Sequence, residues 1–302
     1  MSLLVIGTVA FDGIETPFGK VDKILGGSAT YIGISASYFN DTSNLISVVG
    51  GDFLKEDVEL LKKHNINCDG LEIIKNEKTF FWSGRYHKNM NVRDTIETQL
   101  NVLEKFKPKI PTKYQDCRYL MLANLMPSIQ LEAINKLKSQ PKLIVTDTMN
   151  FWIDNCLEDL MFVIAKTDIL IINNEEALQL TESNNLTEAS SKILKMGPSF
   201  LIIKKGTDGA LLYGDSQVFE CPAYFVDKCI DPTGAGDTFA GAFIGHLSDS
   251  DDTSFQNMTT AVIKACAMAS FCVEDFGVKN IINTNNLPLE ERIQALNKRC
   301  FM

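Results

Sequence analysis

Asp237 follows three small residues, Gly234, Ala235 and Gly236, inside the run DPTGAGDTFAGAF at Asp231–Phe243. Small residues let bare backbone N–H groups close on an anion. A helix starting here adds positive partial charge to those groups. An acid beside such a cradle can take a proton where negative charge is building up. An anion cradle next to a general base is what phosphoryl transfer to an alcohol requires. The same spacing has a plainer meaning, a glycine-rich helix entry whose first-turn acid complements the dipole. The rest of the chain has to separate the two.

Near the other end, Gly7, Asp12 and the pair Gly26-Gly27 follow an apolar strand in order. A carboxylate at Asp12 can accept hydrogen bonds from two vicinal hydroxyls. Gly26 and Gly27 would let backbone approach a small molecule, and Thr30 adds a hydroxyl close by. Asn173-Asn174-Glu175-Glu176 reads either as a helix cap with dipole-matched acids or as polar ligands at a strand end. Lys204 and Lys205 precede a turn, Gly206–Gly209, and either lysine could reach a phosphate as a point charge. The other reading of Lys204 is a solvated hairpin tip. Phe80, Phe81, Trp82 and Tyr86 could stack on a base, and Arg85 and Arg93 could close on phosphate or hydroxyls. Those aromatics could equally pack against the body or a second subunit. His87 has no Ser, Cys or metal-ligand partner in view.

These residues need rigid elements behind them. Buried strands are expected at Leu3–Ile6, Leu45–Val49, Tyr119–Ala123, Leu143–Val145, Ile169–Ile172 and Leu201–Ile203. Most are short continuous apolar runs, as in a parallel sheet covered on both faces. Helical spacing occupies Ser28–Phe39, Phe53–Lys63, Ser128–Lys138, Asn174–Thr181 and Thr187–Lys195, with Asp52 expected to cap the second and Pro127 to open the third. Longer helices are expected at Gly234–Leu247, Thr259–Val273 and Leu287–Lys298. Alternating strands and helices predict an α/β doubly wound architecture. Thr79–Tyr86 and Asn89–Gln99 break that pattern and read as exposed or half-exposed strands.

The 302 residues are 45% hydrophobic and 22% charged, enough for a large core. A net charge of −9 argues against a nucleic-acid or anionic-membrane partner. The eight cysteines form no CxxC pair, which excludes ordinary zinc spacing. Met1–Gly7 runs straight into an apolar strand without a basic leader, so reduced thiols in the cytoplasm are expected. No apolar run approaches the roughly 18 residues that span a bilayer.

Asp231, Pro232, Thr233, Gly234, Ala235, Gly236 and Asp237, with Thr238, Phe239 and Gly241 behind them, resemble the C-terminal signature of the ribokinase (PfkB-type) carbohydrate and nucleoside kinases. Gly7, Asp12 and Gly26-Gly27 resemble the first signature of that family, Asn173–Glu176 its NxxE motif, and Gly206–Gly209 its nucleotide-side turn. Asp147–Asn150 resembles its D-x-N step, without the arginine that often follows. Four of these elements, leaving the D-x-N step aside, run in order over nearly the whole chain. The resemblance implies a three-layer α/β/α fold with a mostly parallel central sheet and a small β-sheet lid. It implies one kinase domain over 1–302, with the lid at about 11–23 and 79–105.

The resemblance also implies roles. Asp237 would be the base, with the Gly234, Ala235 and Gly236 N–H groups on the transferring phosphoryl group. Asp12, Gly26, Gly27, Thr30, Asn124 and Arg85 would contact the acceptor. Asn173, Lys204, Lys205, Gly206 and Gly209 would serve ATP. Asn173 and Glu176 would organise Mg²⁺ largely through water, and Asp231 is a candidate for a monovalent cation such as K⁺. A homodimer through the lid is implied. The expected function is ATP-dependent phosphorylation of the CH₂OH of a ribosyl acceptor. An adenosine-like nucleoside comes first, because the segment Leu4–Phe39 and the aromatic lid look closer to nucleoside kinases. Free sugars come next, ribose ahead of fructose and 2-keto-3-deoxygluconate. A sugar- or nucleoside-binding regulator without turnover is the alternative of another class, against which the presence of Asp237 speaks. A dinucleotide-dependent dehydrogenase is rejected, since no GxGxxG follows the first strand.

Overall fold

A computed structural model of the chain describes residues 2–301. In its first strand, β1 (Leu3–Ile6), Leu3 and Val5 enter one apolar cluster while Leu4 and Ile6 enter another. Both faces are therefore buried, which is why the sequence shows a continuous apolar run and not an alternating one. The same holds for β4 (Ser43–Gly50), β8 (Tyr119–Leu122), β9 (Leu143–Asp147), β10 (Ile169–Asn173) and β11 (Phe200–Lys204). With β5 (Ile66–Ile74) and the hairpin β12 (Ala210–Gly214) and β13 (Gln217–Cys221) they form a nine-stranded sheet. Its order is β13-β12-β11-β10-β9-β8-β1-β4-β5. Every pair from β11 to β5 is parallel; only β12 and β13 run antiparallel.

One face is covered by α1 (Ser28–Ala36), α8 (Ala235–Ser250), α9 (Phe255–Cys272) and α10 (Asn286–Phe301), with Leu61 of α2 (Lys55–Lys63) in the same cluster. The other carries α3 (Pro127–Asn135), α4 (Asn150–Asn155), α5 (Leu157–Ile164), α6 (Asn174–Thr181) and α7 (Leu186–Leu194). This is the three-layer arrangement that the sequence implied. No helix among the described residues is long and apolar enough to cross a membrane. All eight cysteines are free thiols.

A second sheet of four strands grows from the first. It is built from β2 (Ala10–Thr16), β3 (Gly19–Gly26), β6 (Phe81–Tyr86) and β7 (Arg93–Gln99), in the order β3-β2-β6-β7. The β2–β6 pair is parallel, so two distant chain segments meet here; the flanking pairs are antiparallel. This lid rests on the body at separate points. Asp52 accepts the Thr79 N–H and hydroxyl, each at 2.7 Å, and the Lys23 ammonium at 3.2 Å. The Thr233 hydroxyl donates to Tyr86 Oη at 3.0 Å. The Lys228 ammonium lies 4.1 Å from the Phe18 ring centre.

Asp52 therefore does not cap the helix expected behind it. That helix starts later, with Leu54 as N-cap and the Asp57 carboxylate accepting the Leu54 N–H at 3.0 Å. Asp52 is spent on tying the start of β6 to the body. Pro127 does open α3, where its missing N–H costs nothing.

α8 packs on α1 almost without side chains between them. A Cβ on Gly241 would sit 2.3 Å from the Ile32 carbonyl oxygen, and one on Gly245 would sit 2.9 Å from Ala36 Cα. Gly241→Val therefore forces the helices apart and should cost about 1–3 kcal/mol. Urea unfolding should show a lower midpoint at unchanged slope. An unchanged midpoint would mean that the two helices separate freely.

Candidate active site

The parallel strands present their C-terminal ends to one rim of the sheet. β1 leads directly into β2, which carries Asp12, β8 ends before Asn124, and Asp147, Asn173 and Lys204 close β9, β10 and β11. The chain leaves β1 first toward β4 and later toward β8 on the other side. Such a switch point opens a crevice at the carboxyl ends of the strands.

The N-terminus of α8 faces that rim. Gly234 caps it at φ 75°, a left-handed conformation, and a Cβ there would lie 2.4 Å from the Tyr31 ring. Both facts demand glycine. Ala235 N–H donates to the Pro232 carbonyl at 3.2 Å, and Thr238 N–H to the Gly234 carbonyl at 2.7 Å. Between them stand Gly236 and Asp237, whose N–H groups sit in a first turn without intrahelical acceptors. A Cβ on Gly236 would lie 3.0 Å from Lys204 Nζ, so the lysine ammonium is at the mouth of this turn.

Lys204 Nζ donates to Asp147 Oδ1 at 3.0 Å, and both side chains are largely buried. Burial and the nearby Asp147 carboxylate push Asp237 up to about 7, against the pull of Lys204. Burial raises Glu176 to about 7, again opposed by Lys204. Glu176 also makes a capping box: Asn173 Oδ1 accepts its N–H at 2.8 Å, and its Oε2 accepts the Asn173 N–H at 2.8 Å. Asn173 and Glu176 are thus a helix cap placed on the rim.

Asp12 is 5% exposed, and burial with the Asp231 and Asp237 carboxylates pushes it up to about 7. Gly26 has no room for a Cβ, which would overlap Asp12 Oδ2 at 1.9 Å; the Gly27 N-cap lies directly after it. Asp231 is fully buried, with its two carboxylate oxygens accepting the Thr233 and Gly277 N–H groups, each at 2.9 Å. It clamps the loop before α8.

Three expected contacts lie elsewhere. Arg85 is on the wrong face of the lid. In the parallel register Asp12 pairs with Trp82 and Glu15 with Arg85, so Arg85 sits on the face opposite Asp12. Its guanidinium forms a two-pronged pair with Glu15 at 2.8 and 3.1 Å. Lys205 points away from Lys204 and pairs with Glu220 at 2.6 Å. Thr30 is fully buried, because α1 is buried on every side, and its Oγ1 has no hydrogen-bond partner. Asn124 is partly engaged: Trp152 Nε1 donates to its Oδ1 at 2.8 Å, and its Nδ2 donates to Met149 Sδ at 3.2 Å.

The same register sorts the aromatic and basic residues that the sequence offered for base stacking and for phosphate or hydroxyl contacts. Trp82 lies beside Asp12, and Tyr86 and its partner Arg93 share that face. Arg93 is close enough to pull down the pKa values of Asp237 and Glu176. Tyr31, its ring against Gly234, is buried with no partner for its hydroxyl. Strand parity was the signal that could have sorted the lid residues.

Beside this cluster a cavity of about 240 Å³ is lined by Lys204, Gly206, Gly209 and Gly236 at one side and by Tyr224, Val226, Phe239, Ala269 and Val273 elsewhere. A polar phosphate end and an apolar slot are what a nucleotide needs.

The pfkB family carbohydrate kinase model matches residues 4–285. The chain belongs to the pfkB family of carbohydrate kinases. This pfkB kinase is 28% identical over 254 residues to a cytidine kinase of Thermococcus kodakarensis, covering 82% of this chain and 89% of that one. The nucleoside kinase structure from Methanocaldococcus jannaschii aligns at TM-score 0.78 and 22% identity, over 97% of this chain and 98% of that one. A ribokinase-II-like chain from E. coli, in complex with ATP and Mg²⁺, aligns at TM-score 0.80 and 21% identity over 97% and 99%. The pfkB kinase is therefore an ATP-dependent sugar or nucleoside kinase.

Lys204 is the cation hydrogen-bonded to buried Asp147. Lys204→Met should cost about 3–5 kcal/mol, since it strands that carboxylate. Asp147→Leu with Lys204→Met should recover most of the loss. Urea melts at pH 8 check both, and a single variant as stable as the parent would show the pair to be idle.

Proposed function

We propose that this kinase phosphorylates the CH₂OH of a nucleoside, with Asp237 as general base. The carrying observation is the lid register: Trp82 stands next to Asp12 on one face. A carboxylate for the ribose hydroxyls beside an indole for the base fits a nucleoside better than a free sugar. The cytidine kinase relative supports the same class.

In this reading Asp12, with Gly26 and Gly27 at its back, holds two ribose hydroxyls. Asp237 takes the proton from the CH₂OH as the oxygen attacks the γ-phosphorus. The N–H groups at Gly236 and Asp237 meet the charge that develops on the transferring group. Ala235, with its N–H already paired to Pro232, shapes the turn and leaves this hole to its neighbours. Lys204 adds a point charge, and Gly206 and Gly209 keep the nucleotide turn tight.

Magnesium fits the rim. Asp147, Glu176 and Asp237 crowd around one buried lysine, three carboxylates to a single cation. Among the described residues no three His, Cys, Asp or Glu side chains converge to cage a metal. A hard cation held by phosphate, water and an outlying Glu176 and Asn173 suits such a site. When bound it neutralises charge on the donor phosphates. Asp231, with both oxygens already accepting N–H groups, stays the candidate for a K⁺ contact through its remaining lone pairs. The lid edge β7, with Ile96 exposed on it and Val92 and Leu100 exposed at its two ends, is the surface through which two copies would pair.

Asp237→Asn should lower turnover about 10²–10⁴-fold and leave Mg·ATP binding within about twofold. Near-parental turnover would refute the base. In the parent, both Asp12 and Asp237 must be ionised, so kcat/KM for the acceptor should fall as pH drops through about 7. A flat profile from pH 6 to 8 would contradict the assignment.

ADP release is then followed with cytidine, adenosine, inosine, guanosine, ribose, fructose and 2-keto-3-deoxygluconate. Nucleosides should turn over, and Trp82→Ala should raise their KM about tenfold, the worth of one stacked base. Turnover of free sugars alone would make Trp82 structural. Tight binding without turnover would favour a regulator.

A further inference from the structure

The cavity beside Lys204 is not closed by the α/β body alone. Met90 and Asn91, at the tip of the β6–β7 hairpin, form part of its wall. The would-be Cβ of Gly206 finds Asn91 Oδ1 at 3.5 Å, so the Asn91 amide stands over the tight turn at the polar end. Met90 is half-buried there, although it belongs to a loop whose other residues are exposed. The tip is held in shape. His87 N–H donates to the Val92 carbonyl at 3.0 Å, Val92 N–H to the Asn89 carbonyl at 2.9 Å, and Asn91 N–H to Asn89 Oδ1 at 3.1 Å. His87 also meets Asp94 across the strand pair at 2.9 Å. One hairpin therefore has Trp82 beside Asp12 at its base and Asn91 beside Gly206 at its tip.

We propose that this tip belongs to the donor-nucleotide site: Asn91 hydrogen-bonds the nucleotide at its phosphate–ribose end, and Met90 packs against it. The inference rests on assigning the cavity to ATP, as above. An amide is suited to the place, since it can donate to a phosphate oxygen or accept from a ribose hydroxyl. A flexible thioether suits an apolar wall that has to fit a ligand. A lid that touches both substrates would close fully only when both are present.

Binding of Mg·AMP-PNP to the full-length protein, without acceptor, tests this by calorimetry. Asn91→Ala and Met90→Ala should each weaken binding about fivefold to tenfold, as expected for one hydrogen bond or one packed side chain. Both positions are on an exposed loop, where truncation leaves the fold intact. Mg·AMP-PNP should also slow amide hydrogen exchange across residues 87–92 in the parent, an effect that a merely structural tip would not show. Affinities within twofold of the parent, with no slowing at the tip, would overturn the proposal. Ala269→Trp fills the apolar side of the same cavity, and Val273→Phe is a milder filler should that variant misfold. If filling leaves Mg·AMP-PNP binding intact, the cavity is not the donor site and both readings fall. If filling abolishes binding while the tip variants bind normally, only the tip proposal falls.

Discussion

The approach of α8 to α1 is the constraint on which the site depends. Gly234 lies against the Tyr31 ring, Gly241 against the Ile32 backbone and Gly245 against Ala36. α1 starts directly after the glycine pair that backs Asp12, and α8 starts at the anion-binding turn. Contact without intervening side chains holds these two starting points at a fixed separation. Interiors packed to this density deform little. The base and the acceptor-holding carboxylate are thus set by a helix pair, with loops only filling in between.

That rigidity allows an arrangement that would otherwise disperse. Asp237 is near enough to Asp12, Asp147 and Glu176 to be felt by or to feel each of them, and Asp12 feels Asp231, with one buried lysine among them. Water is the medium carboxylates prefer, and desolvation raises their pKa values here. Backbone N–H groups take part of the load: Gly277 and Thr233 on Asp231, Asn173 on Glu176. The remaining surplus of negative charge gives the crevice an appetite for cations and for donors of hydrogen bonds.

Much of this was legible from residues alone. Continuous apolar runs marked the doubly covered strands β1, β4, β8, β9, β10 and β11, and the small-residue entry marked α8. Strands with only partial cover were not read. β13 has Val218 61% exposed and carries little apolar pattern, and β5 is largely half-buried at the sheet edge. Side-chain direction was the larger gap. Arg85 is the right residue type one position out of phase, because a strand turns alternate residues to opposite faces, while Lys205 lies past the end of β11 and turns to Glu220. Thr30 looked available only because the all-round burial of α1 comes from α8, some 200 residues later. Trp82 and Arg93 acquire a place through pairings between strands that no local pattern encodes.

The parallel pairing of β2 with β6 has a kinetic side. Phe11 meets Phe81 and Glu15 meets Arg85, partners seventy residues apart in the chain. A contact that closes so long a loop is slow to form, since chain entropy opposes it before any other contact repays it. The β2–β3 arm is made early in the sequence and must wait for β6. The cover of the crevice is therefore joined by one long-range strand pair, although β1 and β8 of the body close a still longer loop. Parting β2 from β6 and opening the crevice become two views of the same seam.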